Sequence, residues 1–134
     1  GSWKEIFKVI KQKTPKTYIK KNTFYRPWGN YINFFRGVNF LLKELTVNKK
    51  SSISLQKHRH RSEHWTVING KPKITLGKKV FFKKINESIF VPKGSIHRIE
   101  NLYNKPVKII EAQLGSLLKE TDIIRYQDVY GRVK

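Results

Sequence analysis

The chain has four histidines, and three of them, His58, His60 and His64, fall within seven residues of each other. Gln56 and Glu63 stand among them in Gln56-Lys-His-Arg-His-Arg-Ser-Glu-His-Trp65. The fourth, His97, sits in Pro92-Lys-Gly-Ser-Ile-His-Arg-Ile-Glu-Asn101. Imidazoles grouped with a carboxylate and an amide point to a metal site or an acid–base cluster. The bland alternative is a chance grouping on a solvated strand. Residues two apart on a strand share a face, so Gln56, His58 and His60 can all point inward. Only one of Glu63 and His64 can do so on a regular strand, and the pattern leaves open which. Nitrogen and oxygen donors with one negative charge suit one divalent ion of the Zn, Mn, Co or Fe type, with positions left for substrate oxygens.

The elements that must carry these residues form one domain's worth of chain at 134 residues, enough for a core without staples. With 38% hydrophobic and 13% aromatic residues the composition is that of a globular protein, and the absence of cysteine excludes disulfides and thiolate zinc sites. The net charge of +20 suggests an anionic ligand. Lysine dominates it and is spread along the whole chain, as in a protein from an AT-rich genome, so nucleic acid is not an expected partner. No apolar run approaches the ~20 residues of a membrane span, and no signal-peptide pattern opens the chain, so a cytoplasmic location is expected. Gly1-Ser2 resembles a cleavage scar left by recombinant expression.

Trp3, Ile6, Phe7 and Ile10 are spaced as on an amphipathic helix over Trp3–Lys13, which Pro15 ends. Residues 3–24 therefore read as a helix and a basic loop, and 25–134 as the main domain. Tyr25–Tyr31 is a turn between aromatics. Short strand patterns follow: Val38–Val47, Ile53–His60, Trp65–Ile68 before the hairpin signal Asn69-Gly70, Lys73–Leu76 and Val80–Lys83 around Gly77, Ser88–Val91, Ile96–Ile99 and Val107–Gln113. The stretch Glu120–Arg132 reads as a helix or a covering strand. This is an all-β sandwich or barrel.

The motif spacing resembles the cupin superfamily. Gln56 and His58 form a ligand pair, four residues lead to Glu63, and six more lead to Gly70. A second register pairs His58 with His60 and uses His64, but leaves five residues before Gly70. The second cupin motif is matched by Pro92, Gly94, His97 and Asn101. Lys50 and Asn86 stand where the motifs have their leading glycines. Further blocks, Arg26-Pro-Trp-Gly29, Glu63-His64-Trp65, His97-Arg98, Ile110-Glu111-x-Gln113-x-Gly115, Glu120-x-Asp122-Ile-x-Arg125 and Tyr130-Gly-Arg132, resemble the type II mannose-6-phosphate isomerase domain. The resemblance covers roughly four-fifths of the chain, from Tyr25 onward. That domain usually ends a bifunctional enzyme with an N-terminal mannose-1-phosphate guanylyltransferase.

The resemblance implies a jelly-roll-like cupin barrel behind a short N-terminal helix. It implies interconversion of mannose 6-phosphate and fructose 6-phosphate through a cis-enediol, feeding sugar-nucleotide and surface polysaccharide synthesis in a bacterium. On it, Gln56, His58, Glu63 and His97 are the metal ligands. His60, His64 and Glu111 are the candidate bases, and Arg61, Arg98 and Arg125 the candidate phosphate holders. Trp28 and Trp65 read as core. A homodimer is expected by analogy, and a guanylyltransferase domain or partner is a further expectation. The competing readings are a metal-independent isomerase or epimerase of another, nucleotide-linked sugar using its histidines as acid and base, and a non-catalytic carbohydrate-binding cupin.

Overall fold

A computed structural model describes residues 23–128 and Gly131. Their elements are all strands: β1 (Thr23–Arg26), β2 (Gly29–Arg36), β3 (Phe40–Val47), β4 (Leu55–Lys57), β5 (Arg61–Asn69), β6 (Lys73–Leu76), β7 (Lys79–Phe82), β8 (Ser88–Val91), β9 (His97–Glu100), β10 (Val107–Gly115) and β11 (Ile124–Gln127). The expected helix over Trp3–Lys13 lies outside the described residues. The stretch that begins at Glu120 supplies a strand, β11, rather than a helix.

The strands form a six-stranded sheet, β1-β2-β3-β10-β5-β8, and a five-stranded sheet, β11-β4-β9-β6-β7. Every named pairing is antiparallel. The expected barrel is corrected here: no named pairing joins the edges of one sheet to those of the other, so the domain is two facing sheets and not a closed cylinder. The core fills the space between their inner faces with Val47, Trp65, Val67, Ile74, Ile99, Val107 and Ile109.

Strict alternation fixes which residues face in. In β5 the inward series is Arg61, Glu63, Trp65, Val67; in β10 it is Val107, Ile109, Glu111, Gln113; in β3 it is Leu41, Lys43, Leu45, Val47. Glu111 stands opposite Lys43 on one side and Trp65 on the other, and Gln113 opposite Leu41 and Glu63. The inner face thus changes from apolar at one end of the strands to charged at the other. Buried charge is costly unless paired, so the charged end marks a site.

The turns explain two departures from the cupin pattern. Lys50 and Asn86, which replace glycines, have φ of 54° and 73°. The left-handed turn that glycine ordinarily serves is therefore kept by residues that adopt it at a cost. At Gly29, where β2 begins, a Cβ would run into the Thr46 carbonyl oxygen. Asn101 locks the neighbouring loops: its Nδ2 donates to the carbonyls of Val47, Asn48 and Lys105, and its Oδ1 accepts from the Tyr103 amide.

Lys50→Gly should stabilise the protein. Relief of roughly 1–2 kcal/mol of left-handed strain is partly offset by roughly 0.4–1 kcal/mol of added unfolded-state freedom. The expected net gain is about 0.5–1 kcal/mol in urea unfolding; a lower midpoint would contradict the strain argument.

Candidate metal centre

Glu63 is the pivot of the charged end. Its Oε2 accepts from Arg61 Nε at 2.8 Å and its Oε1 from Trp65 Nε1 at 2.9 Å, and Oε2 lies 3.4 Å from His58 Nε2. The ligand atoms of His58, Glu63 and His97 all lie within 4.8 Å of one another, and all three residues are buried. These ligands come from both sheets: Glu63 from β5, His97 from β9, and His58 from the turn after β4. Glu63 faces inward; His64, its neighbour in the strand, faces outward and stacks on Phe90 at 4.7 Å.

Both histidines have their tautomer set from behind. His58 Nδ1 donates to the Asp122 carbonyl at 2.6 Å and His97 Nδ1 to the Ser95 carbonyl at 3.0 Å. Each Nε2 therefore carries its lone pair toward the cluster. His97 Nε2 is buried without a hydrogen-bond partner. Burial lowers the His58 imidazole to about 4, against the pull of Glu63, and burial lowers His97 as well. Both rings are neutral at pH 7, as metal ligands must be. Burial alone would favour the neutral acid at Glu63, but His58 and Arg61 reverse this and hold its carboxyl well below the usual range. Two neutral imidazoles, one ionised carboxylate and an orphaned ring nitrogen aimed among them fit a divalent ion. Arg61 Nη2 lies 3.2 Å from His58 Nε2, so its guanidinium contacts two of the same ligand atoms.

Gln56 adjoins the trio. It pairs across strands with His97 on one side and Arg125 on the other, which puts the three side chains in one row of the five-stranded sheet. Its Oε1 accepts from Ser54 Oγ and its Nε2 is 3.5 Å from His58 Nε2. Glu111 lies behind Glu63 and shares a hydrogen bond with it; burial, then the Glu63 charge, pushes its carboxyl up to about 8. Gln113 Nε2 donates to Glu111 Oε2 at 2.7 Å.

The other expected residues divide between the cavity wall and the surface. β4 stops at Lys57, so alternation does not govern His60; it turns out to pair with Asp122 at 3.2 Å, its side chain about half exposed. Arg98 alternates with inward His97, and its guanidinium meets Glu100 and Gln127. His60 and His64 are absent from the cavity wall, whereas Arg61, Arg98, Arg125 and Glu111 line it. The cavity has an empty volume of about 750 Å³ including its open mouth.

Four polar wall residues, Arg26, Tyr31, Lys43 and Glu120, were not among the sequence candidates. Lys43 is buried, bonded to Glu120 at 2.9 Å and set over the Tyr31 ring. Arg26 Nη2 donates to Tyr31 Oη at 3.1 Å. Burial would raise the Glu120 carboxyl, but Lys43 holds it below the usual range. A lysine in the inward phase of Leu41-x-Lys43-x-Leu45-x-Val47 is the signal that could have found this group. The segment from Ser116 to Ile123 straps the cavity: Leu118 and Lys119 carbonyls accept from Arg36 and Arg61, and the Asp122 carboxylate accepts from the Arg59 and His60 amides.

Two facing antiparallel sheets with a His/Glu/His cluster between them define a cupin. Solved structures agree on the fold. The capsular polysaccharide assembling protein CapF of Staphylococcus aureus superposes with TM-score 0.67 at 15% identity, covering 79% of this chain and 34% of that one. The Cnp3 cupin domain of Schizosaccharomyces pombe gives 0.60 at 17% identity, covering 64% of each chain. Within the cupins, the chain belongs to the mannose-6-phosphate isomerase C-terminal family, whose profile matches residues 13–128. It is 40% identical over 131 residues to the xanthan biosynthesis protein XanB of Xanthomonas campestris, covering 96% of this chain and 28% of that protein. It is 46% identical over 108 residues to the alginate biosynthesis protein AlgA of Pseudomonas putida, covering 81% and 22%. To the mannose-1-phosphate guanylyltransferase ManC of Salmonella typhimurium it is 37% identical over 130 residues, covering 97% and 27%. The chain spans about a quarter of the length of these relatives.

Glu111→Gln mimics the protonated acid and should keep its bonds to Glu63 and Gln113. In the wild type without metal, the folded state holds the Glu111 proton up to about pH 8, whereas the unfolded chain releases it near 4.5. Stability from this group is therefore complete below 4.5 and lost as pH rises through 8. Chemical unfolding of the chelated proteins should show Glu111→Gln gaining on the wild type between pH 5 and pH 9. An unchanged difference would remove the shared proton from the account.

Proposed function

We propose that this domain interconverts mannose 6-phosphate and fructose 6-phosphate, with one divalent ion held by His58, Glu63 and His97 and with Gln56 as fourth ligand. The observation that carries this reading is the orphaned His97 Nε2 aimed at Glu63 and His58 on the wall of an open, cation-lined cavity. Family membership supplies the substrate class. When bound, the ion would act as a Lewis acid toward the carbonyl and hydroxyl oxygens of the sugar.

The remaining work falls to the chain. A base takes the C2 proton of the open-chain aldose, the electron pair forms the enediol, and a proton returns to C1 as the O1 and O2 protons rearrange. Glu120 suits the base: it is ionised, about half exposed and on the cavity wall, with Lys43 and Arg61 beside it. Glu111 is buried beside Glu63 and keeps its proton at neutral pH in the metal-free protein, because burial and the Glu63 charge outweigh Lys43 and Arg61, so it serves to hold Glu63. Arg125, in the row of Gln56 and His97, holds the phosphate from one sheet; Arg26, on the other sheet, closes on it from the mouth. Lys43 and Tyr31 position Glu120. The names of the relatives in xanthan, alginate and mannose-1-phosphate chemistry support a place supplying sugar nucleotides for polysaccharide synthesis in the cytoplasm, beside a guanylyltransferase domain or partner. A homodimer belongs to the same proposal.

The test is formation of fructose 6-phosphate from mannose 6-phosphate by the purified chain, before and after chelation and after return of Zn, Mn or Co. Turnover should vanish with chelator and return with an ion. Turnover that ignores the chelator would favour a metal-independent sugar isomerase. Glu120→Gln should lower kcat by roughly 10²–10⁴-fold with metal content unchanged, and Arg125→Met should act mainly on KM. Unaltered kinetics in either variant would remove that residue from its role.

A further inference from the structure

The outer face of the six-stranded sheet is not the polar surface that a solvated antiparallel sheet ordinarily shows. The register puts Phe35, Leu42, Ala112, His64 and Phe90 side by side across five strands, from β2 to β8. Phe40 and Leu114, paired with each other one row away, widen this stripe. Phe35, Phe40, Phe90 and Leu114 are all exposed, and Phe35 stacks on Phe40 at 5.6 Å. A contiguous apolar surface of this kind marks a covered face.

The register also shows where the preceding chain emerges. β1 is the edge strand, and Thr23 stands opposite Ile32. Ile32 pairs with Glu44, Glu44 with Ile110 and Ile110 with Thr66, the row next to the stripe. β1 runs antiparallel to β2, so the chain before Thr23 leaves toward Phe35. Residues 14–22 span up to roughly 30 Å when extended, and crossing the whole sheet takes about 24 Å. Just beyond that tether lie Trp3, Ile6, Phe7 and Ile10, spaced to fall on one side of a helix and separated by lysines.

We propose that the segment Trp3–Lys13 folds back over the outer face of the six-stranded sheet and covers the Phe35–Leu42–Ala112–His64–Phe90 stripe. The segment emerges beside the stripe, has the reach to cross it, and carries four apolar side chains to lay on it. A second copy of the chain would have to displace it. The proposal also gives His64 a place: it is part of a docking face, not of the cavity on the other side of the sheet.

The chain has no cysteine, so a single Glu5→Cys variant takes one nitroxide label while keeping all four apolar side chains. In the full chain, the amide signals of Leu42, Ala112 and Phe90 should lose most of their intensity, while those of Val80 and Phe82 on β7 in the other sheet keep theirs. Unbroadened signals on the stripe would overturn the proposal. So would equally strong broadening when labelled chains of natural isotope abundance are mixed with unlabelled, isotope-enriched ones, which would assign the face to a second copy.

Discussion

A carboxylate buried at one end of the core governs the rest of the structure. Glu63 is almost fully shielded from water, where an unpaired charge is not tolerated. Its neighbours answer that demand: the Arg61 guanidinium and the Trp65 indole donate to it, and Glu111 keeps a proton toward it. Each of these side chains is fixed because Glu63 is fixed. The cluster is polar and buried, the condition in which a bound cation and a developing negative charge on a substrate interact most strongly.

The sheets make this possible by using one alternation for two purposes. Trp65, Val67, Val107 and Ile109 continue the inward series that begin with Arg61 and Glu63 and end with Glu111 and Gln113. The apolar half anchors the strands, and the charged half inherits their precision. His58, a candidate ligand, is the exception, since it sits in a turn. There the strap from Ser116 to Ile123 takes over: the Asp122 carbonyl sets the His58 tautomer while its carboxylate ties the Arg59 and His60 amides. A loop ligand held by a second loop is the more deformable side of the site.

Much of this was legible in the sequence. The spacing singled out His97 and Asn101, both of which are buried, and the turn signals pointed to an all-β chain. Whether Glu63 or His64 faced inward was not legible, because the strand's phase depends on where the preceding turn ends. The turn spans His58–His60 and releases β5 at Arg61, which settles the phase and carries His60 away from the cavity. Arg98 alternates with inward His97 and pairs with Glu100, yet it still borders the cavity. The barrel closure was read from family likeness, and hydrogen bonding between sheet edges has no local signature. Lys43 was overlooked although its inward phase was visible, because lysines are so common in this chain that one more carried little weight.

The central claim is that His58, Glu63 and His97, and not His60 or His64, hold one divalent ion. It is tested most directly by metal analysis of the purified protein after loading with Zn, Mn or Co and exhaustive dialysis. The account predicts one ion per chain in the wild type and in His60→Ala and His64→Ala, and its loss in His97→Ala. Retention of the ion in His97→Ala, or its loss in His64→Ala, would contradict the inward trio and move the site to the other face of β5.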